Sequence, residues 1–312
     1  MKYYIYKFCF NTAVHIGNGN LTDGESTICA DTLFSGLCHE AVKNGGQQQI
    51  DELVNFAKSG KLQFSDMLPF IADDMYIPKP LCPVKVELEG DSVQKKKFKK
   101  LKYIPIDKIS VYMSGNLNAE EETDKIKQLG MFEMRNMASS LDPEKSQNGE
   151  MMPYSVGVFK FAQNSGLYII AGFEDDSVKV MFDMLLTALS YSGLGGKRSA
   201  GFGRYTFTFF DAPQSVTDKL IGKSNMKICI STAMAKPEEL EKTLENARYI
   251  LAKRSGFVLS QNYADSLMRK KDFYAFKAGS CFENTFDGDV FDVSDGGSHP
   301  VYRYAKPMFM EV

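Results

Sequence analysis

The chain contains no tryptophan and only three histidines, His15, His39 and His299, in 312 residues. That scarcity argues against a histidine-built metal centre, which draws several imidazoles together. The six cysteines (Cys9, Cys29, Cys38, Cys82, Cys229 and Cys281) are scattered, without a Cys-x-x-Cys pair. They read as reduced, mostly buried thiols of a cytoplasmic protein. No apolar run reaches membrane-spanning length. The alternating aromatic start, Met1 to Phe10, lacks the apolar core and small-residue cleavage site of a secretory signal. An excess of either charge is also missing: the net charge is −2 and the isoelectric point about 6.0. Any polyanion must therefore meet a local patch and not a global field. No metal and no cofactor is expected.

What the chain does carry is 44% hydrophobic and 24% charged residues, a globular balance in a length sufficient for two domains. Its most informative stretch is Gly193-Leu194-Gly195-Gly196-Lys197-Arg198-Ser199-Ala200-Gly201-Phe202-Gly203-Arg204-Tyr205, five glycines around two cations and a hydroxyl. Glycine permits positive φ and close backbone approach, so such a loop can wrap a phosphate with its N–H groups. Lys197 and Arg198 would add charge, and Ser199 a donor. The spacing fits neither a Walker loop nor a dinucleotide fingerprint, and the helix here precedes the loop instead of following it. The plainer reading is a glycine-rich turn feeding a hairpin edge.

The periodicity predicts a strand over Tyr3–Phe10 and then a helix with Asp31 or Thr32 as N-cap and Leu33, Leu37 and Ala41 on one face. Gly45-Gly46 should end it. Strands are expected over Tyr154–Phe161 and Leu167–Phe173, joined by a turn at Asn164-Ser165-Gly166. A helix over Ser177–Tyr191 follows, with Val178, Met181, Leu185 and Leu189 at helical spacing, then the glycine loop and a strand over Arg204–Phe210. That order approaches the ferredoxin-like βαββαβ plan shared with RNA-recognition domains. Residues 211–224 read as a linker. The remainder, with strands expected at 226–233, 248–259, 272–276 and 301–310 and a helix at 237–243, reads as a degenerate second copy. The expected class is thus α+β, with two ferredoxin-like domains over 1–211 and 225–312.

Two insertions interrupt the first unit. Residues 94–103 form a lysine run, including Lys95, Lys96 and Lys97, with aromatics at Phe98 and Tyr103. Cations interleaved with rings suit single-stranded RNA, and a solvated mobile loop is the simpler alternative. The second insertion, Arg135 to Met152, is polar and rich in turn formers, fitting a disordered tip or a protruding hairpin. Candidate chemistry is sparse. His39 lies on the first helix, two positions after Leu37, so a packed or surface histidine is the simpler reading. Cys38 and His39 are neighbours along a helix and do not face each other. There are no paired carboxylates and no Ser/His/Asp signature. The residues by themselves describe a binder.

Four segments carry a resemblance. They are Val14-His15-Ile16-Gly17-Asn18-Gly19, Ala30-Asp31-Thr32-Leu33-Phe34-Ser35-Gly36-Leu37, the glycine loop, and the tail Gly297-Ser298-His299-Pro300-Val301-Tyr302-Arg303-Tyr304-Ala305-Lys306-Pro307. Together they resemble the fourth Csm subunits of type III-A CRISPR–Cas effector complexes, a branch of the RAMP superfamily. The glycine loop by itself says only RAMP. The tail and the lysine run ending in Tyr103-Ile104-Pro105 narrow it. The resemblance implies a non-catalytic cap that holds the repeat-derived 5′ tag of the crRNA, docks the large polymerase-like subunit and contacts the first backbone subunit, in antiviral defence.

Carried onto this chain, the RNA-binding surface would comprise His15, Ile16, Gly17 and Gly19, then Thr32 and Ser35 at the first-helix N-terminus, and Lys95–Lys97. It would also take in Gly195, Gly196, Lys197, Arg198, Ser199, Gly201, Phe202 and Gly203. Arg135 and Asn136 match a thumb-like hairpin, and His299, Tyr302 and Arg303 come from the tail. Asp31 sits where backbone RAMP subunits carry a cleaving aspartate, but it reads here as a helix cap. One alternative is a repeat-processing endoribonuclease of the same superfamily, with His39 as general acid or base and Lys43 or Tyr4 assisting. More than a hundred residues follow the glycine loop, which such enzymes usually place near the C-terminus. The other alternative is a protein-binding scaffold in which the loop is only a turn.

Overall fold

The computed structural model describes residues 1–17, 19–84, 92–138, 153–260 and 262–312. Strand β1 (Lys2–Phe10) leads to helix α1 (Ala30–Lys58), then β2 (Leu62–Phe64), β3 (Leu68–Ile71) and β4 (Asp74–Pro78). Helix α2 (Ser92–Lys100), strand β5 (Tyr103–Pro105) and helices α3 (Ile109–Met113) and α4 (Ala119–Ile126) follow. Next come β6 (Gly130–Ala138), β7 (Pro153–Phe161), β8 (Ser165–Phe173), α5 (Asp176–Ser192), β9 (Tyr205–Asp211) and α6 (Gln214–Ile221). The C-terminal part holds β10 (Lys227–Cys229), α7 (Pro237–Leu244), β11 (Leu251–Arg254), β12 (Phe273–Phe276), β13 (Cys281–Phe282), β14 (Val290–Asp292), β15 (Tyr302–Tyr304) and β16 (Phe309–Glu311).

A seven-stranded sheet runs β5-β4-β3-β8-β1-β9, with β2 pairing β8 beyond β3, and every pairing is antiparallel. Four of its strands, β1, β2/β3, β8 and the edge strand β9, have the 4-1-3-2 order of a βαββαβ unit. Side chains alternate across a strand, and the sheet uses both faces. Tyr4, Tyr6 and Phe8 of β1, with Leu167, Ile169 and Phe173 of β8, enter the core beneath α1 and α5. Ile5, Tyr168 and Ile170 enter the opposite core, with Leu101, Ile109 and Tyr112 of the insertion and Ile228 and Met310 of the C-terminal part. Phe34, Leu37, Leu185 and Leu189 are fully buried between helices and sheet, each contributing about 1.5–3 kcal/mol on leaving water.

Several expectations are corrected. Asp31 and Thr32 do not cap α1: the flanking residue is Cys29, without a side-chain cap bond. The cap comes from elsewhere, because Asp66 Oδ1 accepts the Ala30 N–H at 2.8 Å. Gly46, at φ 62°, breaks α1, but the helix resumes and runs to Lys58. Glycine takes that backbone state without the Cβ clash other residues suffer, so the chain kinks and continues. The expected linker contains α6, anchored by buried Val216. Strands β7 and β8, although consecutive, do not pair: β7 pairs residue for residue with β6, and β8 with β1, β2 and β3.

No second βαββαβ copy is seen among the described residues after 224, which hold the single helix α7 and three small sheets. The stretches at 248–259 and 301–310 are broken by loops into shorter strands. The two parts share their cores. Tyr304 stacks on Phe64 at 4.4 Å and 14°, and its hydroxyl accepts the Phe64 N–H. Among the described residues, no helix is long and apolar enough to cross a membrane.

Candidate functional site

The first turn of α1, the glycine loop after α5, and two C-terminal segments meet around a cavity of about 160 Å³. Thr32, Ser35 and His39 line it from α1; Gly193, Leu194, Gly195 and Arg198 from the loop; and Arg254, Lys270 and Arg303 from the C-terminal part. Asp31 lies at its base, 3% exposed. Arg254 grips that carboxylate from two sides, Nε to Oδ2 at 2.9 Å and Nη2 to Oδ1 at 2.8 Å, and Nη2 also reaches Thr32 Oγ1 at 3.0 Å. Arg303 Nη1 donates to the same Oδ2. Burial by itself would raise the Asp31 pKa, but the charges and hydrogen bonds of Arg254 and Arg303 outweigh it and hold the carboxyl below its ordinary value. Neither a helix cap nor a free carboxylate for metal or water activation describes Asp31.

The glycine loop is shaped by its own packing. Gly193, Gly195, Gly201 and Gly203 all have positive φ, and Lys197 is left-handed at 56°. A Cβ on Gly203 would lie 1.8 Å from the Leu194 carbonyl oxygen, so no other residue fits there without moving the backbone. The loop spends many of its N–H groups on itself and its neighbours: Leu194 on Gly203 O, Gly196 on His15 O, Gly201 on Arg198 O and Gly203 on Ala13 O. The expectation that backbone N–H groups wrap a phosphate is corrected for these positions. Charge at the cavity comes from side chains.

Sequence-predicted residues divide accordingly. Thr32, Ser35, Gly195, Arg198 and Arg303 are brought to the cavity. His15 is a buried brace: its Nδ1–H donates to Gly157 O at 2.7 Å, and a Cβ on Gly196 would touch its ring at 2.7 Å. Ile16 packs partly into the cores, and Gly17 and Gly19 are exposed. Lys197 turns to the hairpin, with Nζ 3.2 Å from the Tyr154 hydroxyl and 4.5 Å from its ring centroid. Ser199 is exposed and Phe202 half-buried.

Lys95–Lys97 lie on α2, a helix and not a mobile loop, whose Phe98 packs into the core on the sheet's other face. Lys97 is ion-paired with Glu120 at 2.6 Å. Arg135 and Asn136 stand on the β6–β7 hairpin, Arg135 paired with Glu133 and Asn136 with Ser155. The hairpin reading of that insertion thus holds for its stem; 139–152 lie outside the described residues. His299 bonds Pro300 O and Ser260 and does not line the cavity, and Tyr302 is half-buried in β15.

Arg254 and Lys270 went unnoticed because neither stands in a motif. The alternation of β11 signals Arg254 only weakly, as the inward-facing residue of Lys253-Arg254. Burial first, then the charges of Arg198, Lys270 and Lys43, push His39 below its ordinary value, so its imidazole is neutral at pH 7. Its expected helpers are engaged elsewhere. Lys43 bonds Glu40 and Ser192, and Tyr4 packs on Phe173 in the core.

Residues 7–206 match the RAMP superfamily model, and residues 222–312 match the CRISPR Csm4 C-terminal domain. The Mycobacterium tuberculosis (strain CDC 1551 / Oshkosh) protein named CRISPR system Cms protein Csm4 is 36% identical over 306 residues, covering 98% of this chain and 96% of that protein. Its Streptococcus thermophilus namesake is 32% identical over 321 residues, covering 100% and 99%. In fold, the chain is similar to one in the crystal structure of a Csm3-Csm4 subcomplex of the type III-A CRISPR-Cas interference complex, with TM-score 0.67, 18% identity and 100% and 99% coverage. It is also similar to one in the Csm1-Csm4 cassette in complex with pppApA, with TM-score 0.58, 18% identity and 100% and 98% coverage. Sequence identity sustained along the full length, with a family model on each part, has one reading: the chain belongs to the Csm4 family of the RAMP superfamily.

Proposed function

We propose that the chain is a non-catalytic RNA-binding subunit of a cytoplasmic type III-A Csm complex, holding the repeat-derived 5′ tag of the crRNA in antiviral defence. The observation that carries this is the cavity, where, among the described residues, four cationic side chains, Arg198, Arg254, Lys270 and Arg303, and one carboxylate, Asp31, line the space on a protein of net charge −2. Such a local positive site meets a phosphate backbone where the global field does not. Lys95, Lys96, Arg135 and the 193–203 loop then offer outlying contacts along the strand. The structural neighbours are chains of a Csm3-Csm4 subcomplex and of a Csm1-Csm4 cassette, and on this reading the chain takes the same place, docking a large polymerase-like subunit onto a backbone subunit. Its parts 1–211 and 225–312 serve as the two units of that cap.

A second reading rests on His39, a neutral imidazole beside Arg198 at the cavity, which suits a repeat-processing endoribonuclease. A 5′-labelled repeat–spacer RNA, run with the protein on native and denaturing gels, separates the two. A shifted band with intact RNA is expected. Metal-independent cleavage within the repeat, lost in His39→Ala, would establish the enzyme instead, and absence of any shift would leave a protein-binding scaffold.

A further inference from the structure

We infer that Cys82 and Cys281 form a thiol–disulfide switch, in which a peroxide-class oxidant joins the two sulfurs and ties the two parts of the chain covalently. Cys82 follows β4 in the N-terminal part, and Cys281 opens β13 in the C-terminal part. Both are free thiols, 6% and 0% exposed, and both belong to the core on the sheet's other face. Their backbones are held together. Leu81 N–H donates to Gly279 O at 3.0 Å, and Cys281 exchanges two backbone hydrogen bonds of 2.8 Å with Arg248 while pairing with Ile228 of β10. The Cys281 sulfur is in hydrogen-bond contact with the Cys82 thiol and with the backbone N–H groups of Leu81 and Cys82. A disulfide needs Cβ atoms about 3.5–4.5 Å apart, and a sulfur lying against both the thiol and the N–H of its partner leaves little more than a side-chain rotation to reach it.

The two sulfurs are not equivalent. The hydrogen bond from Cys281, with the charge of Arg248, outweighs burial and holds the Cys82 thiol below its ordinary value; the same bond and burial push Cys281 up. Cys82 also keeps the exposed surface. It is therefore the nucleophile, and Cys281 the resolving thiol. The Cys82 thiolate attacks one oxygen of hydrogen peroxide, the O–O bond breaks, and Cys82 becomes a sulfenic acid. The departing hydroxide takes the proton that Cys82 gave up and leaves as water. The Cys281 sulfur then attacks the Cys82 sulfur; the S–S bond forms, the S–O bond breaks, and hydroxide leaves with the Cys281 proton as a second water. Each sulfur gives up one electron, and the peroxide takes both. In a reducing compartment the pair rests as two thiols, so the bond marks an oxidative load. Closed, it clamps β13 and its small sheet to the segment after β4, independently of any RNA.

The test treats the folded full chain with a small excess of hydrogen peroxide, blocks remaining thiols, and maps the peptides by mass spectrometry without reduction. The expected product is a peptide pair joined through Cys82 and Cys281, about 2 Da lighter than the two peptides together and separated by dithiothreitol. Because the link closes most of the chain into one loop, the melting temperature of the oxidised protein should rise by about 5–10 °C. Dithiothreitol should reverse that rise, and Cys82→Ala should abolish it. The wild-type peptide map carries the assignment by itself, so a variant that fails to fold does not blunt the test. Cys82 Sγ donates to Met113 Sδ at 3.6 Å, which places a competing sulfur beside it. A Met113 sulfoxide in place of the link, about 16 Da heavier, would overturn the switch. So would Cys82 recovered as a sulfinic acid, or both cysteines recovered as thiols.

Discussion

Arg254 and Asp31 lie 223 residues apart in the chain, yet they form a two-pronged ion pair with contacts of 2.9 and 2.8 Å. The pair joins the first turn of α1 to β11, and Arg303 completes it from β15. Geometry of this kind fixes both position and rotation of the guanidinium, which a single contact would not.

Replacing Asp31 by alanine should therefore destabilise the chain severely. Two guanidinium groups would lose a shared, buried carboxylate, and breaking a buried pair from one side costs about 3–5 kcal/mol. Urea unfolding monitored by circular dichroism measures it, and a change below about 1 kcal/mol would show that water replaces the carboxylate without penalty.

Asp31 and Asp66 should respond to pH with opposite signs. The Asp31 carboxyl titrates below its ordinary 3.8, so its stabilisation is present above that value and lost as pH falls through the lowered one. Burial raises Asp66, against the opposing hydrogen bonds from Ala30 and Thr232, to about 6. Its folded form thus prefers the proton, and the stabilisation present below pH 3.8 fades as pH rises towards about 6. Asp66→Asn keeps an acceptor for Ala30 and Thr232 and removes the ionisation. Its stability relative to wild type should grow between pH 4 and 7, by on the order of 3 kcal/mol. A constant difference across that range would show that Asp66 is not the titrating group.

Within the glycine loop, Gly203→Val should be the most damaging of three changes. The new Cβ meets Leu194 O at 1.8 Å, in a backbone state of φ 77°. Gly201→Val meets open space and carries only the left-handed penalty at φ 87°, about 1–2 kcal/mol. Lys197→Ala loses an amine–hydroxyl contact and a ring contact with Tyr154, about 1 kcal/mol. Melting temperatures and tag-RNA affinities should both fall in that order. Equal effects from Gly201 and Gly203 would mean that backbone conformation matters more than the clash.

Lys95 and Lys96 should matter less to RNA than Arg198. They stand exposed on α2 and do not line the cavity. The double alanine variant should bind tag RNA within about threefold of wild type, and Arg198→Ala about tenfold more weakly, a difference near 1.4 kcal/mol for the latter. The reverse ranking in a filter-binding titration would move the principal RNA contact to the helical insertion.

The local elements were legible because their causes are local. Alternating Tyr4, Tyr6 and Phe8 announce a strand, Val178, Leu185 and Leu189 a helix face, and clustered glycines a loop of positive φ. That reading located β1, β8, β9, α1 and α5, but it put β7 where β2 and β3 pair with β8, and Thr32, Ser35 and Arg198 became candidates together only through the family resemblance. Caps, pairings and charges between distant segments carry no such local mark. Asp66 caps α1 from outside the helix, Lys95–Lys97 fold into a helix on the other side of the sheet, and His15 turns inward as a brace. A periodic pattern determines which face of a segment is apolar, and this chain's sequence by itself settled that much. Only the tertiary structure decided that Arg254 and Arg303 would meet at Asp31, with Lys270 lining the same cavity, because a salt link depends on distance in space, and distance between segments is set by how the cores pack.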